Sequence, residues 1–61
     1  MNEENKRENI REEIDRANEA IRAANLLFEN GFVKDAISKL YYSLLYSVRG
    51  LLLTKGLEPK S

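Results

Sequence analysis

The stretch LYYSLLYSVRGLLL, Leu40 to Leu53, constrains this chain more than any other part of it. Its fourteen residues contain one charge, Arg49. Apolar or aromatic side chains fall on nearly every face of one helix, and a helix of that kind must be covered on most of its sides. A bilayer is not the predicted cover, because a spanning helix needs about 20 apolar residues. The cover must be polypeptide. With 61 residues, no cysteine and no histidine, the chain has little of its own to supply. A domain of this size buries only roughly 60% of its unfolded surface. Small scaffolds usually add a disulfide, a metal or a partner chain, and the composition leaves association as the remaining route.

Two helices can be read from the periodicity. In the first, over about residues 2–30, Ile10, Ile14, Ala17, Ile21, Ala24 and Phe28 step by four and three, the rhythm of a helix with one buried stripe. Ala20 and Leu27 widen it. Asn2 is the predicted N-cap, with Glu3 and Glu4 complementing the positive helix end. Glu8, Glu12 and Glu19 precede Arg11, Arg16 and Arg22 by three or four residues, the favourable order for ion pairs on a solvated face. Gly31 then supplies a left-handed stop, with Phe32 folding back on Leu27 as in a Schellman cap. So short a link returns the second helix antiparallel to the first.

The second helix is predicted over about residues 33–55. Val33, Ala36, Ile37, Leu40, Tyr41, Leu44, Leu45, Val48, Leu51 and Leu52 make one broad stripe, wide enough to face the first helix and something beyond it. A further line, Tyr42, Tyr46, Arg49 and Leu53, lies around the helix from it and is expected to stay in water in a lone hairpin. Gly56 and Leu57 repeat the earlier stop, and Pro59 opposes continuation. Gly50, inside the helix, costs about 1 kcal/mol relative to alanine and points to a close helix crossing.

The predicted fold is therefore all-α: one antiparallel two-helix hairpin over residues 1–61, assembling most simply as a homodimer into a four-helix bundle, with a tetramer as the alternative. Leu40, Tyr41, Tyr42, Leu44, Leu45, Tyr46, Val48, Arg49 and Leu52 are the expected core and oligomer interface. The tyrosines read as core packing rather than as a base-stacking platform. Arg49 reads as half of an ion pair, with Asp35 or a glutamate of another chain. Lys34, Lys39, Lys55 and Lys60 read as solvated stems.

Ten basic residues balance ten acidic ones, so the whole chain has no net attraction to nucleic acid or to an anionic membrane. The start, MNEENKREN, has no secretory pattern, and the expected location is cytoplasmic. The sequence contains no paired catalytic carboxylates, metal-ligand spacing, phosphate loop or nucleophile–base set. No catalytic, cofactor or metal residue is assigned.

The stretch FVKDAISKLYYSLLYSVRGLLLTKGLEPKS resembles the HEPN domain family, in particular small archaeal and bacterial proteins of the UPF0332 type. The resemblance is carried by Asp35 and Ala36, Lys39, the pair Tyr41–Tyr42, Tyr46, Arg49, Leu51–Leu53, and the exit Gly56, Pro59 and Lys60. It implies a bundle of long antiparallel helices, of which this chain would be the N-terminal half. It also implies a minimal nucleotidyltransferase as partner in a toxin–antitoxin pair, with the chain itself an interaction module. The alternative is a piece of a metal-independent ribonuclease toxin, whose signature is Arg followed a few residues later by His. Without histidine the signature is incomplete in these residues, and Arg49 does not inherit the catalytic role.

Overall fold

The computed structural model describes residues 2–57. Helix α1 runs Glu3–Glu29 and helix α2 runs Val33–Thr54, packed side by side as an antiparallel hairpin. Pro59 and Lys60, part of the expected exit, lie outside the described residues.

Both ends of α1 form as the local sequence requires. Asn2 is extended (φ −77°, ψ 167°), and its Oδ1 accepts the Asn5 N–H at 2.8 Å. One of the four orphan donors of the first turn is thereby satisfied. At the other end the Phe32 N–H donates to the Leu27 carbonyl at 2.8 Å and the Gly31 N–H to Phe28 at 3.1 Å. These are the two bonds of a Schellman motif, closed through Gly31 at φ +83°. The same pair recurs after α2: Leu57 donates to Leu52 at 2.9 Å and Gly56 to Leu53 at 3.0 Å.

The seam between the helices is made of small residues. Ala17, Ala20 and Ala24 of α1 are buried, and α2 contributes Ala36, Ser43 and Gly50 together with Leu53. Ala36, Ser43 and Gly50 are spaced by seven, as are Ala17 and Ala24, so each set returns to the same side of its helix every two turns. Ser43 does not bring an unsatisfied hydroxyl into the seam, because its Oγ donates to the Leu40 carbonyl of its own helix at 2.6 Å.

This seam corrects the predicted one. The broad stripe of α2 was expected to face α1, with the Tyr42–Leu53 line left in water. In the structure Leu53 is buried and Tyr46 half-buried, whereas Ile37, Leu40, Leu44, Val48 and Leu51 of the broad stripe are exposed. On α1 the alanines of the predicted stripe are buried, but Ile14, Ile21 and Phe28 are exposed. The physical reason is close approach. Two helices meet most tightly where neither carries a large side chain, and backbone packing over alanine, serine and glycine turns the leucines outward.

The core so formed is thin. Among the described residues, four of the five buried apolar ones are alanines, and no large side chain is fully buried. The molecule is a rod of 43 × 18 × 15 Å with a Cα radius of gyration of 13.3 Å. A compact chain of this length would have about 10.5 Å.

Candidate functional site

Glu13 fixes the relative level of the helices, since a Cβ built on Gly50 would lie 3.6 Å from the Glu13 Cβ. From that level, and at about 100° of rotation per residue, the two edges of the hairpin follow. Rotations in one sense on antiparallel helices open to the same side of the plane through their axes.

One edge is a shallow groove. Ala20 and Ala23 form its floor, and Arg16, Glu19, Lys39, Tyr42 and Tyr46 line it. The Lys39 ammonium sits 5.9 Å from the centre of the Tyr42 ring, and the Arg49 guanidinium is 5.9 Å from the centre of Tyr46. These are cation–π distances, and they account for both cations without a carboxylate. Arg49 is exposed and makes no ion pair with Asp35, which corrects the pairing expected within the chain. A guanidinium in contact with water and a ring face does not need a buried acid.

The ion pairs of α1 are also fewer than its spacing predicts. Arg16 meets Glu12 at 4.0 Å and Glu13 at 3.0 Å. Among the described residues, Arg11 and Arg22 are not paired with Glu8 and Glu19. Exposed pairs of this kind contribute little, which leaves long side chains free to stay solvated. Glu13 is different because it points into the seam. Its side chain is 13% exposed, and its Oε2 is buried without a hydrogen-bond partner. Spacing alone did not single out Glu13; the available signal was an acid one turn before Ala17 on the buried side of the heptad.

The opposite edge is apolar. Ile14, Ile21 and Phe28 of α1 turn to the same side as Leu40, Leu44 and Leu51 of α2, and all are exposed. Tyr41 and Tyr42 touch each other, with ring centres 6.1 Å apart and planes tilted by 58°. Tyr41 lies toward the back of the apolar edge and Tyr42 on the groove. Of the nine residues expected at a core or oligomer interface, Leu45, Tyr46 and Leu52 are half-buried in the single hairpin. Leu40, Tyr41, Tyr42, Leu44, Val48 and Arg49 are exposed. Lys34, Lys39 and Lys55 are exposed as well, and Lys60 lies outside the described residues. Among the described residues, no cluster of acids is placed to hold a metal ion, and no helix is long and apolar enough to cross a membrane.

These features define a class: an all-helical hairpin with a polar–aromatic groove on one edge and an uncovered apolar face on the other. The HEPN domain model matches residues 10–61, and this chain belongs to the HEPN domain family. A protein of Methanocaldococcus jannaschii, provisionally named a toxin, is 46% identical over 54 residues, covering 88% of this chain and 40% of the relative. A UPF0332 protein of Pyrococcus horikoshii is 40% identical over 53 residues, covering 87% and 37%. A UPF0332 protein of Thermotoga maritima is 44% identical over 43 residues, covering 70% and 33%. The chain thus spans well under half the length of the curated relatives it matches. No solved structure matches it.

Proposed function

We propose that this chain is the helical interaction module of a HEPN-type protein. It works in the cytoplasm with a minimal nucleotidyltransferase, as one side of a toxin–antitoxin-like pair, and these 61 residues perform no chemistry alone. The observation that carries the reading is a combination in one hairpin. Large apolar side chains stand exposed along one edge, in a member of a family whose relatives include one provisionally named a toxin. Apolar faces of this extent are characteristic of surfaces that bind other protein. The histidine of the ribonuclease signature is absent from these residues, which supports binding over chemistry for this part.

Co-expression of the gene with a nucleotidyltransferase gene encoded beside it tests the proposal. The expected result is co-purification of the two proteins at a fixed ratio. A nucleotidyltransferase that elutes alone from the co-expressed mixture overturns the partner assignment.

A second reading has its own support. The matched part of the Methanocaldococcus jannaschii relative is 40% of that protein, which leaves room in proteins of this type for a catalytic helix. Under that reading the chain is the scaffold half of a ribonuclease toxin, and its Arg–His motif is encoded beyond Ser61. Sequencing the gene past that codon distinguishes the two, followed by an RNA-cleavage assay with and without chelator on the whole product.

A further inference from the structure

We propose that the hairpin opens at its free end as one unit: α1 up to Glu13 parts from α2 beyond Gly50, while the loop end stays closed. Opening uncovers Leu53 and returns the Glu13 carboxylate to water.

The inward line of α1 changes character along its length. Lys6, Ile10 and Glu13 continue, by steps of four and three, the line of Ala17, Ala20 and Ala24, so all six return to one side of the helix. All are buried or half-buried. The three nearer the loop are alanines, whereas two of the three nearer the free end carry a charge. Lys6 can lay its stem along apolar surface and keep its ammonium in water. Glu13 is shorter and stands deeper. Its Oε1 accepts from Arg16 Nη1 at 3.0 Å, but its Oε2 is buried without a hydrogen-bond partner. An acceptor in that position has given up water and gained no donor, which favours separation of the helices at its level.

The facing helix does nothing to offset this. Gly50 stands opposite, 3.6 Å from the Glu13 Cβ to where its own Cβ would be, and has no side chain with which to donate a bond. Glycine also weakens α2 at the same level.

Burial divides at this level too. With Glu13 level with Gly50, Ala36 and Ser43 lie on the loop side together with the three alanines of α1. Among the described residues, Leu53 is the one side chain buried on the other side. Segments with few buried contacts open at a lower free energy than the whole fold. Leu53 makes that opening joint instead of separate fraying of two helix ends. A leucine only 6% exposed needs cover that its own helix does not supply, and half-buried Ile10 of α1 lies level with it.

Native-state amide exchange, read residue by residue by NMR on the 61-residue chain in low denaturant, tests the proposal. The amides of residues 7–13 and 52–57 are expected to share one protection level, at least about 10-fold below that of residues 20–27 and 40–50. Glu13→Met removes the carboxylate and keeps the length of the side chain. It is expected to slow exchange in both free-end segments by a common factor of about 10, the scale set by one buried acceptor without a donor. Glu12→Met, at a neighbour whose side chain is 54% exposed, should change neither segment. Different protection in the two segments, or slowing by different factors, means independent fraying and overturns the proposal. A single protection level along both helices overturns it, as does a native chain without protected amides. So does a Glu13→Met chain that exchanges no more slowly or fails to fold, because the carboxylate would then support the closed seam.

Discussion

Glu13 and Gly50 face each other across the seam at the distance of two side chains in van der Waals contact, 3.6 Å between the Glu13 Cβ and the Cβ that Gly50 lacks. Glycine inside a helix costs about 1 kcal/mol relative to alanine, and here nothing crowds out a single methyl group. Gly50→Ala is therefore expected to raise stability by about 1 kcal/mol, or roughly 4–8 °C in melting temperature for a small domain. Gly50→Leu is expected to lower stability by about 1–3 kcal/mol, through overpacking against Glu13. Thermal unfolding of both variants checks the pair, and a destabilised alanine variant would show that the helices approach more closely than this.

Ala24 is the most deeply buried residue of the seam, at 2% exposure. Ala24→Leu adds three carbons between two backbones and is expected to destabilise the hairpin by about 1–3 kcal/mol. Exposed Asn25, its neighbour, should accept leucine with a change within about 0.5 kcal/mol. Urea unfolding of the two variants measures the difference, and equal midpoints would place the seam elsewhere on α1.

Gly31 holds φ +83° in open space, with nothing near the position a Cβ would occupy. The cost of a side chain is then purely conformational. Gly31→Ala is expected to lose about 1–2 kcal/mol from the left-handed backbone. Gly31→Asn should lose less, because asparagine tolerates that region. The order glycine, asparagine, alanine in chemical-denaturation midpoints is the check.

Asn2 accepts the Asn5 N–H through its Oδ1. Asn2→Ala removes that acceptor and is expected to cost about 1 kcal/mol, confined to the first turns of α1. Amide exchange at Asn5 and Lys6 should accelerate, while the amides of α2 keep their protection. Uniform acceleration along both helices would mean that the cap supports the whole hairpin.

The secondary structure was legible because it is encoded locally. Asn2, Gly31 and Gly56 mark the helix boundaries through bonds between residues a few positions apart, and the structure forms those bonds. Glu12 and Arg16 lie together because four residues make one turn. The seam was harder to read. Ile14, Ile21 and Phe28 share the heptad rhythm of Ala17 and Ala24, so periodicity places all of them on one stripe and does not say which part touches the partner helix. Hydrophobicity ranks Leu44 above Ser43, yet Ser43 is buried and Leu44 is exposed.

What the sequence determined by itself was two helices, their caps, their antiparallel return and a surplus of apolar surface. These depend on backbone hydrogen bonds between near neighbours and on the count of leucines and tyrosines. The tertiary structure alone decided which sides meet. That choice depends on the distance between two backbones, and alanine, serine and glycine permit a closer approach than the larger side chains beside them. The same choice turned the leucines to one edge and the tyrosine groove to the other.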